Sequence, residues 1–195
     1  MEQLGVREKN REERRDALLT AAYELFRERG FVGTTMDDVA DRAGLSRRTA
    51  FRYFTTKDEL VFPQRAERLA IFQQELQPRS GESALATVKR ACLEMARNYA
   101  ASRKQMLAQW RIVEAEPALL GREIQLDRDF EKAIEGAFEA GGASRRRARV
   151  RAAAIVGAVR ATLREWLEDG GTADLVRLGR ETFAELEHGF EEKKR

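Results

Sequence analysis

Apolar positions at helical spacing divide this chain into amphipathic segments separated by short breaks. Leu18, Ala22, Leu25 and Phe26 fall on one face of a first helix, expected over 11–29 and stopped by Gly30 in the left-handed region. The next helix opens at Thr35, where "TMDD" puts a hydroxyl at the N-cap and two carboxylates in the first turn. It carries Met36, Val39, Ala40 and Ala43 inward and ends at Gly44. Ser46 caps a third short helix running through Phe54, with Ala50 and Phe54, four apart, on its buried face. Thr56 is the expected N-cap of the helix after it. Three short helices with a tight glycine turn between the second and third form a helix-turn-helix arrangement.

Longer amphipathic helices are expected near 57–76, 82–101, 103–114, 118–140, 144–169 and 172–191. The breaks fall at "QPRSGES", Ser102, "EAEP", "AGGAS" and "DGGT", and the "EEKKR" tail is expected to fray. The long Pro-free stretches rich in Ala, Leu, Arg and Glu point to an all-α protein. Two parts follow: a helix-turn-helix domain over 1–56 and a larger helical domain over 57–195. No apolar run reaches the ~18 residues of a membrane span. The N-terminal stretch "MEQLGVREKNREERR" lacks the apolar centre of a secretion signal. The single cysteine, Cys92, allows no internal disulfide framework and suits a reducing cytoplasm, the expected compartment.

Charge alters this picture by its placement. The formal net charge is only +3, and residues 1–62 hold equal numbers of acidic and basic side chains. Yet Arg42, Arg47, Arg48, Arg52 and Lys57 cluster, while the acids lie mostly on the preceding helices; an electrostatic footprint for nucleic acid requires that segregation. Arg47 and Arg48 stand at the N-terminal end of the third helix, the end that meets base edges in a major groove, and the arginine fork matches guanine O6 and N7. Thr49 and Tyr53 carry hydroxyls for phosphate oxygens. Lys57 brings a point charge beside free backbone N–H groups, and Thr35 offers the N-terminus of the second helix to the backbone. Taken alone, the arginines read more readily as a solvated helix face, as charge runs usually are.

The stretch "TTMDDVADRAGLSRRTAFRYFTTKDEL" resembles the DNA-binding motif of the tetracycline-repressor (TetR) family of bacterial transcription regulators. Phe31, Gly33, Thr34, Thr35, Val39, Ala40, Ala43, Gly44, Leu45, Ser46, Thr49, Tyr53, Phe54, Lys57 and Leu60 carry the likeness without a gap. The resemblance implies that Thr35, Arg47, Arg48, Thr49, Phe51, Arg52, Tyr53 and Lys57 face double-stranded DNA. Position 51 is commonly tyrosine in that family; Phe51 has no hydroxyl and offers apolar contact, to a thymine methyl or a sugar.

The resemblance further implies an effector pocket enclosed by helices four to seven and a homodimer built from the last two helices. The implied function is a ligand-responsive regulator, a repressor released from a near-palindromic operator by a small apolar effector. Met95, Tyr99, Met106, Leu107, Trp110 and Val113, with Arg111 and Glu114 as polar groups and Phe62, Phe72 and Phe130 as further aromatics, are the candidate lining; plain core is the alternative for each. "FRYFTTKDELVF", Trp110 with Arg111, and Trp166 resemble a branch with an acyl-CoA-like ligand domain, including mycofactocin-associated members. For the dimer, Ala152, Ala153, Ala154, Gly157, Ala158 and Ala161 permit close helix approach, and Ile155, Val159, Leu163, Trp166, Leu175, Leu178, Phe183, Leu186 and Phe190 add bulk; packing within their own domain is the alternative. The arginine run at 144–151 opens a helix and is expected to face solvent.

An enzyme is not expected. The only histidine, His188, lies near the C-terminal end with no nucleophile beside it, and Cys92 reads as a small core residue. No metal-ligand spacing, Walker loop or dinucleotide fingerprint occurs, so no metal or cofactor is expected. A DNA-binding protein without a ligand is the other alternative; the long remainder after the motif favours a sensor.

Overall fold

Ten helices appear in the computed structural model, which describes residues 2–189. They are α1 (Glu2–Arg29), α2 (Met36–Arg42), α3 (Arg47–Tyr53), α4 (Lys57–Val61), α5 (Arg65–Glu75), α6 (Ala84–Ala101), α7 (Arg103–Ala115), α8 (Pro117–Ala140), α9 (Arg145–Glu168) and α10 (Leu175–His188). Phe190 and the "EEKKR" tail lie outside the described residues. No helix among the described residues is long and apolar enough to cross a membrane.

Two expectations about the elements are corrected. The helix expected over 57–76 is two helices, α4 and α5, broken around Pro63. Proline supplies no amide hydrogen and pushes the residue before it out of the helical region; Phe62 accordingly sits at φ −115°, ψ 55°. Helix α1 begins at Glu2 rather than near Arg11. Its added turns are rich in Glu, Arg and Lys, good helix formers that leave no apolar stripe for periodicity to detect.

The chain divides into two units. The first comprises Met1–Gln64 with Ala108–Leu120, so the C-terminal part of α7 and the first turn of α8 belong to it. Its core gathers Leu18, Ala22 and Leu25 of α1, Val39 and Ala40 of α2, Ala50 of α3, Phe54, and Leu60 and Val61 of α4, joined by Val113 and Leu119. Each such large aliphatic side chain, fully buried, is worth about 1.5–3 kcal/mol of transfer free energy. Gly30 stops α1 at φ +77°, as expected, and its N–H donates to the Phe26 carbonyl at 3.0 Å. The N-terminus of α2 is a capping box: Thr35 Oγ1 accepts from the Asp38 amide at 3.2 Å, and Asp38 Oδ2 accepts from the Thr35 amide at 2.8 Å.

The second unit comprises Arg65–Leu107 with Gly121–Arg195. Helix α10 packs on α6 and α9, and α5 packs on α6. Phe72, Val88, Ile134, Phe138, Ala152, Ile155 and Phe183 are its centre. An ionic clasp holds the end of α5 to α6: Arg90 donates to Glu75 at 2.7 Å, to Glu82 at 2.9 Å and to the Gln77 carbonyl at 3.0 Å. Four bulky residues expected at a dimer interface are instead buried in this unit: Ile155, Leu175, Phe183 and Trp166, whose indole N–H donates to the Ala173 carbonyl at 2.9 Å.

Two carboxylates tie these local structures to pH. Hydrogen bonds from the Thr35 side chain and then its amide, with Arg29 adding a third, bring Asp38 from 3.8 to about 2. Glu82 falls from 4.5 to about 2, chiefly through Arg90, then through the Arg79 amide and Thr87. A carboxylate whose pKa is lower in the folded state than in the unfolded chain stabilises the fold above its unfolded pKa and loses that contribution as pH falls through the folded value. The midpoint of urea unfolding is therefore expected to fall between about pH 4.5 and pH 2. An Asp38→Asn, Glu82→Gln variant should be less stable at pH 7 and show a flatter dependence across that window.

Candidate nucleic-acid interface and ligand cavity

Helix α3 has only seven residues, too few to persist alone in water, and is held at both ends and along one side. Before it, Gly44 adopts φ +66°, and the amides of Gly44 and Leu45 donate to the carbonyls of Asp41 at 3.1 Å and Ala40 at 2.9 Å. That closes the turn after α2 tightly. Ser46 then caps α3, its Oγ accepting from the Thr49 amide at 3.2 Å. Ala50 is fully buried and Phe54 nearly so. With that side fixed inward, Arg47, Arg48, Phe51 and Arg52 are exposed, while Thr49 and Tyr53 are half-buried.

The expected footprint of five clustered cations resolves into different roles. Arg42 is spent on α1, donating to Glu24 at 3.2 Å and to Glu28 at 2.9 Å; the hydrogen bond from Arg42 is also what lowers the Glu28 pKa most. Arg47 pairs with Asp37 at 3.0 Å, and its guanidinium lies 5.4 Å from the centre of the Phe51 ring. Arg52 lies 5.4 Å from the Tyr53 ring centre. Arg48 makes no ion pair among the described residues. It is the arginine at the tip of α3 with its donors uncommitted.

Lys57 and Thr35 sit in α4 and at the N-cap of α2, but both are occupied. The Lys57 ammonium donates to the carbonyls of Phe31 at 2.6 Å and Thr34 at 2.8 Å, and stands 4.1 Å from the Phe31 ring centre. Burial lowers its pKa, opposed by the charges of Asp58 and Glu116. It pins α4 to the loop between α1 and α2. The Thr35 hydroxyl donates to Asp38 at 2.6 Å within the capping box, and the Thr49 hydroxyl shares a 2.9 Å hydrogen bond with Ser46. Thr56 occupies the N-cap of α4 but makes no side-chain capping bond.

A basic groove that the sequence reading missed adjoins α3. Asn10, Arg11, Arg14 and Arg15 of α1 line it with Arg52 and Tyr53. Arg15 is partly committed, donating to the Pro63 carbonyl at 2.7 Å and stacking 5.6 Å from Phe54. Arg11 and Arg14 are exposed. The signal was present: Arg11 and Arg14 continue the three-and-four spacing that leads to Leu18, on the face of α1 turned towards its own unit.

The second unit lines a partly open cavity of about 140 Å³ between α5, α6, α8, α9 and α10. Of the candidate lining residues, Met95, Tyr99 and Phe130 border it, as does Phe72. Met106, Leu107, Trp110, Arg111 and Val113 do not. Val113 packs in the core of the first unit, Trp110 and Met106 are buried away from the cavity, and Leu107 is half-buried. Arg111 is exposed. For Trp110, Arg111 and Val113 the reason is that residues 108–115 of α7 belong to the first unit.

Helices α9 and α10 supply much of the lining instead, through Val159, Leu163, Leu175 and Phe183. The sequence reading also missed Glu123, Asp127 and Arg160 in the wall. Glu123, Asp127, Phe130 and Ile134 recur at spacings of four, three and four on α8, which places two acids on an apolar stripe. Arg160 Nε donates to Asp127 at 2.7 Å. Burial raises the Asp127 pKa despite that bond, and burial followed by the Asp127 charge raises that of Glu123. Burial also pushes the Cys92 thiol up to about 12, so that it lines the cavity as an inert apolar group. No group of three potential metal ligands occurs among the described residues.

The comparisons with known proteins fit this geometry. Residues 18–62 match the family described as bacterial regulatory proteins, tetR family. The HTH-type transcriptional activator FasR of Mycolicibacterium smegmatis is 48% identical over 50 residues, 26% of this chain and 23% of that protein. The matched region thus spans well under two thirds of the length of such curated relatives. Among solved structures, NalD of Pseudomonas aeruginosa, a secondary repressor of the MexAB-OprM multidrug efflux pump, superposes with a TM-score of 0.64 at 20% identity, covering 91% of this chain and 96% of that one. FadR of Thermus thermophilus, a TetR-family transcriptional repressor solved with lauroyl-CoA, gives a TM-score of 0.56 at 21% identity, covering 93% and 97%. At these identities the structural likeness is one of fold. The sequence match lies on the capped and anchored helices that expose Arg48: residues 18–62 match the tetR family of bacterial regulatory proteins, and over the rest of the chain the likeness is one of fold.

Proposed function

We propose that this protein is a cytoplasmic transcription regulator that binds a near-palindromic operator as a homodimer and is released from it by a small apolar effector. The observation that carries the reading is α3, a short helix held by Ser46, Ala50 and Phe54 with arginines on its outer face. Arg48 reads a guanine edge in the major groove, and Phe51, 37% exposed, offers apolar contact beside it. Arg47 joins the reading face when DNA competes with its exposed pairing to Asp37, a pairing that water and salt already weaken. Arg52 and Tyr53, with Arg11 and Arg14 across the groove, meet phosphates. Thr35 and Thr49 order the two helix N-termini, and their hydroxyls reach the backbone only by exchanging internal bonds. Residues 1–56 form the DNA-binding part and 57–195 the effector and dimer part.

Dimerisation is assigned to α9 and α10. Ala153, Gly157 and Ala161 form an exposed stripe of small side chains on α9, with Val150 60% exposed next to it. A two-fold interface there would set the recognition helices one DNA turn apart, about 34–36 Å. Repression is the favoured outcome because NalD and FadR are repressors, although FasR is an activator. A second reading of the effector, an acyl thioester, is supported by the lauroyl-CoA bound to FadR. Regulation rather than catalysis is the activity, in keeping with the named relatives.

Selection of genomic fragments by the purified protein should enrich an inverted repeat, and metabolites should then be scored for release of that DNA. Failure to enrich any duplex would end the reading. On the selected site, Arg48→Ala is expected to cost about 1–3 kcal/mol, with little loss on random duplex; equal losses on both would remove Arg48 from base reading. Lys57→Met should lower thermal stability by about 1–3 kcal/mol, since two carbonyls lose a charged donor. The salt dependence of the folded variant's DNA binding should stay unchanged. A variant of normal stability with a shallower salt slope would instead make Lys57 a phosphate ligand.

A further inference from the structure

The cavity of the second unit is sized for a compact guest. Its volume of about 140 Å³ is close to the ~150 Å³ apolar void that accepts one benzene. A lauroyl chain has twice the carbons of benzene and exceeds that volume. Most of the wall is apolar, formed by residues such as Phe72, Met95, Phe130, Ile134 and Phe183.

The polar groups in that wall are nearly all satisfied from within. Asp127 holds Arg160 at 2.7 Å. The Thr162 and Thr182 hydroxyls bond each other at 2.6 Å and reach the carbonyls of Ala158 and Leu178. Tyr99 lies under the Arg68 guanidinium, 4.8 Å from the ring centre. Glu123 differs: no hydrogen bond or ion pair reaches its carboxylate among the described residues, although it borders the cavity. Arg160 and Arg164 act on it only through their fields, and burial, then the Asp127 charge, raise its pKa against them. Arg160 is already paired with Asp127, and Arg164 with Glu168 at 3.4 Å.

We propose that the cavity binds a compact cationic amphiphile, one ring or short chain bearing a single ammonium group, with the ammonium paired to Glu123. This rests on reading the cavity as the effector site, and it gives the apolar effector proposed above a single charged end. A cation there gives the carboxylate the charge-assisted partner it lacks, while the apolar part fills the space between α5, α6 and α10. A carboxylate or a phosphate-bearing thioester brings like charge towards Glu123 and Asp127, which disfavours it.

The test is calorimetric titration of the full-length protein, without DNA, using benzylamine, benzyl alcohol, benzoate and lauroyl-CoA at pH 7. The amine should bind about tenfold or more tighter than the carboxylate, the scale of one hydrogen-bonded charge. Glu123→Gln should bring the amine down to the alcohol's affinity and leave the alcohol unchanged, with thermal unfolding verifying that the variant is folded. Equal or tighter binding of benzoate or lauroyl-CoA, an amine preference that survives Glu123→Gln, or no binding of any probe overturns the inference. Because DNA is absent, this outcome is separate from operator binding, which is judged by fragment selection.

Discussion

Seven residues cannot make a stable helix in water, so what the first unit can do follows from how α3 is held. Three local devices hold it: the left-handed Gly44 turn, the Ser46 cap, and the burial of Ala50 and Phe54 against α1, α2 and α4. Once those are fixed, the outward direction of residues 47, 48, 51 and 52 is geometry rather than choice. Lys57 extends the same constraint, since its ammonium ties α4 to the loop that leads into α2. The scaffold thus uses some of its positive charge internally and leaves the remainder pointed at solvent, on α3 and on the neighbouring turns of α1.

The second unit follows a complementary logic. Its core is assembled from five helices whose large side chains meet around a space rather than filling it. Empty apolar volume forfeits dispersion contacts that a packed core would make, so a guest that restores them gains affinity without new chain order. The acids on α8 give that space a polarity which the apolar residues alone would not confer.

Much of the first unit was legible in the sequence because its signals are local. Thr35 with Asp38, Gly30, Gly44 and Ser46 each act within a few residues of chain, and Ala50 and Phe54 are four apart on one face. What was not legible depends on residues distant in sequence. Nothing near Lys57 shows that it meets carbonyls at 31 and 34, and nothing near Arg42 shows Glu24 and Glu28 across from it. Part of the cavity lining was misplaced for a similar reason. The apolar stripe of α7 reads alike whether it borders a void or a core, and residues 108–115 serve the first unit. Periodicity did not separate α4 from α5 either, although Pro63 marks the break.

Hydroxyl-radical footprinting of the selected operator measures most directly whether two copies of α3 read one duplex. The account predicts two protected stretches on the same face of the DNA, their centres about 10 base pairs apart or a multiple of that. A single protected stretch, or uniform cleavage at protein concentrations that saturate binding, would contradict it.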